Sequence, residues 1–247
     1  MRVAVCISGL VQSNNKHTNL IKNNLCAKRH FGQYDFYYAT YHTEKDKFES
    51  TFPNEKCLYL DEPEITYHPY ELPHYYWEAN RYESTRQWIM KGGPKRLEWS
   101  SHHYKQILTH ARLCDTIKDS YDVVVRLRFD SWISRYANFE QYVKDSFDTN
   151  TVFGFSATKH LMIDKIREFD SSPFGSHYQW IVDQCIIHPV KYLNLSYVEK
   201  LYKQKRLHPA EMGWWQVLSK PNHNKHRCFD GYVNHDKNVY PQHFYEP

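Results

Sequence analysis

The twelve residues from Tyr121 to Trp132, YDVVVRLRFDSW, constrain the fold more than any other stretch of the chain. They begin as a β-branched run, Val123 to Val125, of the kind that forms a strand buried on both faces of a parallel sheet. The character then changes abruptly: Arg126, Arg128 and Asp130 alternate with Leu127 and Phe129, which in an extended chain puts the three charges on one face. Charges at the end of a buried strand are costly unless something meets them. Two readings follow. In one, Asp130 pairs with a neighbouring arginine and simply closes the strand. In the other, the strand delivers a carboxylate for a divalent metal and guanidinium groups for phosphate to the carboxyl edge of an open α/β sheet, where such folds bind their ligands.

The segments on either side set the topology. Val3 to Ile7 is an apolar run closed by Ser8-Gly9, and it leads through polar residues into a helix with Leu20, Ile21 and Leu25 on one face. Tyr34 to His42 and Lys56 to Asp61 read as the second and third strands. This alternation predicts a mostly parallel sheet flanked by helices, an α/β Rossmann-like fold in one domain. From Glu62 to Ser101 prolines, Gly92-Gly93 and a mixture of aromatic and basic residues break the pattern, predicting an insertion over 62–100. A helix with Tyr104, Ile107, Leu108, Ala111, Cys114 and Ile117 at helical spacing is expected from Ser101, capped by Ser100 or Ser101 and ended by Asp119-Ser120. Thr151 to Ser156 reads as a strand and His160 to Phe169 as a helix. His177 to Pro189 is an apolar run interrupted by Asp183. Further helices are expected around Val190 to Gln204 and Pro209 to Leu218. The tail from Pro221 has little periodicity.

Composition narrows the partners. The 21 Tyr, 13 Phe and 7 Trp either fill the core or offer flat faces to sugars and bases. A net charge of +4, with 16 histidines uncounted, permits a phosphate-bearing ligand or nucleic acid without requiring one. Six scattered cysteines without a CxxC pair point to a reduced, cytoplasmic setting. The amino-terminal apolar run is too short to cross a bilayer and lacks a cleavage pattern, and no other segment reads as a membrane span. A zinc site is set aside, because no HExxH occurs and no cysteine stands at the usual ligand spacing.

Three blocks together, AVCISGLVQ, DFYYATYH and the helix running into YDVVVRLRFDSW, resemble small viral and bacterial nucleotide-sugar glycosyltransferases of the GT-A type. In that family an SG loop after the first strand precedes a DvFihTw strand and a later YDiviRxRxD block. The later WIVDQ resembles, more loosely, a block whose Asp-Gln pair lies near the sugar. The resemblance implies a nucleoside diphosphate sugar donor such as a UDP-sugar, bound by Ser8, Gly9, Thr40, Tyr41, His42, Arg126 and Arg128. It implies manganese or magnesium on Asp130, the alternative being metal-independent transfer with Arg126 or Arg128 neutralising the diphosphate, and Asp183 as general base or sugar-orienting carboxylate, with Glu211 second. The chain departs from the pattern at Gln12, where many relatives carry arginine, and at Arg128-Phe129-Asp130, which offers one carboxylate in place of the DxD pair. Residues 1–61 and 101–160 then form the donor half, and 161–247 the acceptor side. The acceptor expected is a glycan; the alternatives are a hydroxylated base of phage or viral DNA, or a non-catalytic nucleic-acid-binding module built on the basic insertion.

Overall fold

A computed structural model describes residues 1–11, 20–65, 94–133, 138–156, 167–171, 181–208, 210–230 and 233–234. The core is an eight-stranded sheet. In chain order its strands are β1 (Val3–Ser8), β2 (Asp35–Tyr41), β3 (Cys57–Leu60), β4 (Val123–Leu127), β6 (Val152–Ser156), β7 (Arg167–Ser171), β8 (Cys185–Pro189) and β9 (His226–Asp230). They lie in the order β3-β2-β1-β4-β8-β6-β9-β7. β1, β2, β3 and β4 are parallel, β8 runs antiparallel between β4 and β6, and β9 is parallel to β6. A short ladder joins β5 (Trp132–Ile133) to β10 (Val233–Asn234). The mostly parallel α/β sheet expected from the sequence is therefore present.

Helices cover both faces. On one, Ala27 and Phe31 of α1 (Leu20–Phe31), Phe48 of α2 (Lys45–Thr51) and Phe139 and Val143 of α4 (Phe139–Thr149) pack onto Val5, Ile7, Val123 and Val125. On the other, α3 (Pro94–Ile117), α5 (Leu195–Lys203) and α6 (Ala210–Leu218) cover Ala4, Cys6, Val124 and Ile186. Apolar side chains alternating to both sides of β1 and β4 are the reason the strands read as continuous hydrophobic runs. Much of the aromatic excess is spent here: Tyr38, Phe48, Phe52 and Phe129 form one ring cluster, and Phe139, Tyr142, Phe153, Phe155 and Phe229 another.

Several expectations are corrected. The buried stripe of α1 is Asn23, Ala27 and Phe31, while Ile21 and Leu25 are exposed. The i, i+4, i+8 spacing of the first three aligns them, and the Asn23 amide donates to the Phe129 carbonyl at 3.3 Å, so a polar residue occupies the docking face. α3 begins at Pro94, two turns before the serines expected to cap it, and ends at Ile117; a proline at the first helical position loses no hydrogen bond there. Arg167 to Phe169, expected at the end of a helix, belong to β7; residues 160–166 of that expected helix lie outside the described residues. The aperiodic tail contributes β9 to the sheet, with Cys228 and Phe229 buried. The insertion over 62–100 lies outside the described residues from 66 to 93. No helix among the described residues is long and apolar enough to cross a membrane.

Candidate functional site

β1, β2 and β4 end at one edge of the sheet. β8, being antiparallel, begins there, so Asp183 and Gln184 arrive at the edge where Ser8, Tyr41 and Leu127 leave it. β1 connects toward β2 on one side while β4 lies on its other side, which makes this edge a topological switch point.

The first-strand loop is held by the second strand. Gly9 has φ +122°, a conformation unfavourable to any side chain. Its amide donates to the Ala39 carbonyl at 3.1 Å, and its carbonyl accepts from Thr40 Oγ1 at 2.8 Å. Beside it the buried Ser8 hydroxyl has no hydrogen-bond partner among the described residues. Thr40 thus shapes the loop. The Tyr41 ring is buried, its hydroxyl 2.9 Å from Thr109 Oγ1 of α3, and burial pushes that phenol well above its ordinary range. His42 is exposed beyond the strand, with Nε2 4.0 Å from Asp61.

Beyond β4 the chain does not stay extended. Arg128 to Ser131 form a turn, with the Ser131 amide donating to the Arg128 carbonyl at 3.1 Å and Ser131 Oγ donating to the Gln184 carbonyl at 2.8 Å. The turn folds Asp130 back onto Arg128 in a bidentate pair, Nε to Oδ1 at 2.8 Å and Nη2 to Oδ2 at 2.6 Å. Such forks combine two charge-assisted hydrogen bonds in one fixed geometry. On its other side Arg128 Nη1 lies 3.9 Å from Asp183 Oδ2. One guanidinium therefore sits between two carboxylates. Both Asp130 oxygens are engaged by the Arg128 guanidinium, so in this arrangement Asp130 does not present the open carboxylate that a divalent ion needs.

Arg126 is wholly buried beneath this cluster. Its guanidinium stacks on the Trp214 ring at 4.8 Å, donates to Gln106 Oε1 at 2.8 Å and donates to the Asp183 carbonyl. Burial lowers its pKa to about 10, leaving it charged at neutral pH. It is committed to the interior, holding the segment that carries Asp183. Glu211 lies in the first turn of α6 by its backbone; its side chain lies outside the described residues.

Sequence reasoning missed Gln106, Trp214 and His103. His103 is close enough to Asp183 to feel its charge, yet desolvation outweighs that attraction and pulls the imidazole down to about 4. The signal that could have found it is spacing: His103, Gln106 and His110 stand at i, i+3 and i+7, the repeat of one helix face.

No protein-family model and no curated protein matches the chain. Solved structures similar to it include Staphylococcus aureus TarS in complex with UDP-GlcNAc, at 9% identity and a TM-score of 0.45, covering all of this chain and 61% of TarS. They also include the 4-diphosphocytidyl-2C-methyl-D-erythritol synthase of Anaerococcus prevotii, at 8% identity and a TM-score of 0.45, covering 93% of this chain and 87% of that one. A glycosyltransferase involved in glycosylation of the major capsid of PBCV-1 aligns at 10% identity and a TM-score of 0.38, over 83% of this chain and 67% of that one. At such scores the likeness does not bear on function, which must be argued from the residues themselves.

Proposed function

We propose that the chain is a glycosyltransferase that moves a sugar from a nucleoside diphosphate sugar to an acceptor hydroxyl, with a glycan as acceptor. The observation that carries this reading is the convergence, at one sheet edge, of the Ser8-Gly9 loop, the β2 end, the Arg128–Asp130 fork and the buried Asp183 carboxylate. The three blocks that resemble nucleotide-sugar glycosyltransferases are the ones that meet there.

The chemistry asks for a cradle, positive charge and a base. The Ser8 hydroxyl and the backbone around Gly9, where no side chain intrudes, bind the nucleotide. The acceptor oxygen attacks the anomeric carbon as its bond to the diphosphate oxygen breaks, and Arg128 meets the negative charge that develops on the departing diphosphate. Asp183 takes the hydroxyl proton; its position beneath the surface, beside Arg128, fixes it toward the reacting centre. Arg126 positions Asp183 through its backbone carbonyl. With a guanidinium at Asp130, transfer proceeds without a divalent ion on the diphosphate.

The test is a thermal-shift screen of nucleoside diphosphate sugars, followed by turnover of the donor that binds. A true donor at about 100 times its Kd stabilises the fold by about 2.7 kcal/mol. If no sugar nucleotide stabilises the protein and none is hydrolysed or transferred, the reading fails. Salt-dependent DNA binding without sugar-nucleotide turnover would instead favour a nucleic-acid-binding module.

A further inference from the structure

A second cluster lies within the core, apart from the donor site and unused by the chemistry above. His110 and Cys114 stand one turn apart on α3, and His188 projects from β8 toward them; all three side chains are wholly buried. His110 Nε2 is 3.2 Å from His188 Nε2 and 3.4 Å from Cys114 Sγ, and the three ligand atoms lie within 4.8 Å of one another. We propose that His110, Cys114 and His188 bind a single thiophilic closed-shell cation, zinc(II) or copper(I), between α3 and the β4–β8 pair.

The geometry suits a cation. Metal–nitrogen bonds of about 2.0–2.1 Å and metal–sulfur bonds of about 2.3 Å set neighbouring ligand atoms roughly 3.3–3.8 Å apart around a tetrahedral or trigonal centre. Two of the three separations are already near that range.

The protons point the same way. His188 Nδ1 lies 2.9 Å from the Pro189 carbonyl, which can only accept, so Nδ1 carries the hydrogen and Nε2 presents a lone pair. This is the tautomer that a ligating histidine takes when a carbonyl holds its other nitrogen. If the Cys114 thiol donates to His110 Nε2, two nitrogen lone pairs face each other at 3.2 Å. His110 Nε2 can donate to His188 instead, and His110 Nδ1 has no hydrogen-bond partner in either arrangement. A cation satisfies the converging lone pairs at once.

Charge separates the two metals. Arg126 is close by, so a net positive centre is costly in this dry interior. Copper(I) with the Cys114 thiolate alone is neutral. Zinc(II) needs a second thiolate, and Cys6 on β1, buried in the same core cluster as Cys114 but outside the three-residue group, would have to move toward the ion to supply it.

The experiment uses the full chain without an affinity tag. It is loaded anaerobically with zinc(II) or copper(I) under reducing conditions, desalted and measured by elemental mass spectrometry, with cobalt(II) as a spectroscopic probe. About one ion per chain, a rise in Tm and a thiolate-to-cobalt charge-transfer band are expected. Cys114→Ser and His188→Gln should each lower retention at least about tenfold. Cys6→Ser should abolish zinc retention and spare copper. A wild-type chain that retains neither metal and shows no cobalt band overturns the proposal, whatever the variants do. So does retention unchanged in both Cys114→Ser and His188→Gln, which would assign the ion to other histidines.

Discussion

Acid should destabilise this protein through His208. The ring is 1% exposed at the entry to α6, and burial, reinforced by the Lys220 charge, pulls its pKa down to about 3. In the unfolded chain a histidine titrates at about 6.5. Above that value neither state holds the proton and nothing is lost. Between the two values the unfolded chain binds a proton that the folded chain does not, so stability falls as pH drops from about 6.5 toward about 3. At about pH 5 the unfolded chain is roughly 1.5 units below its own pKa while the folded imidazole is still neutral, and at about 1.36 kcal/mol per unit the loss is about 2 kcal/mol. The assay is urea unfolding of the wild type and of His208→Gln at about pH 7.5 and about pH 5. The backbone amide of His208, which donates to Gln216 Oε1 at 3.0 Å, is retained in the variant. The wild type should lose about 2 kcal/mol more than the variant between the two conditions. Equal losses would mean that the imidazole takes its proton in the folded state, refuting the account of its burial.

Three further outcomes bear on the site and the core. Asp183→Asn should lower turnover by about 100-fold or more while donor affinity, read by thermal shift, stays within about twofold; unchanged turnover would return Asp183 to a purely structural role. Asp130→Asn should release Arg128 from its fork and reduce transfer, and the wild type should turn over equally with and without added manganese or magnesium; a wild type switched on by either ion would show that Arg128 yields Asp130 to a cation. Gly213→Ala should destabilise the fold by about 1–3 kcal/mol in denaturant unfolding, because its Cβ would fall 2.2 Å from the His208 carbonyl oxygen and 2.5 Å from Ile107 Cδ1.

Where a segment's neighbours repeat its own pattern, the sequence is a good guide to the fold. Val3 to Ile7 and Val123 to Val125 are apolar on both faces because helices cover both sides of the sheet, and no tertiary detail is needed to see it. β9 was hidden because HRCFD carries polar, ionisable side chains at three of five positions; it becomes a strand through pairing with β6 and β7, partners remote in sequence. α1 misled for a related reason. Ile21 and Leu25 look like the docking face, but Asn23 occupies it because the Phe129 carbonyl beyond β4 needs a donor.

The same distinction governs the site. Arg126, Arg128 and Asp130 were legible as a charged strand end, but alternation in an extended chain predicts that they share a face, and they do not. The strand stops at Leu127, so Arg126 remains in the ladder and is buried against Trp214, while the turn through Ser131 brings Asp130 back around Arg128. What decides the turn is the Gln184 carbonyl, which accepts from Ser131 Oγ across more than fifty residues of chain. The two readings of this stretch are therefore not exclusive. The pair that closes the strand end also holds a guanidinium 3.9 Å from the buried Asp183 carboxylate, so the closure and the proposed site share the same fixed charges. The His110, Cys114 and His188 cluster escaped for the opposite reason. Its pair at i, i+4 is a spacing that helical metal ligands use, but Cys114 reads as one of the apolar positions of α3 and the third member comes from β8, so only the folded sheet brings the three together.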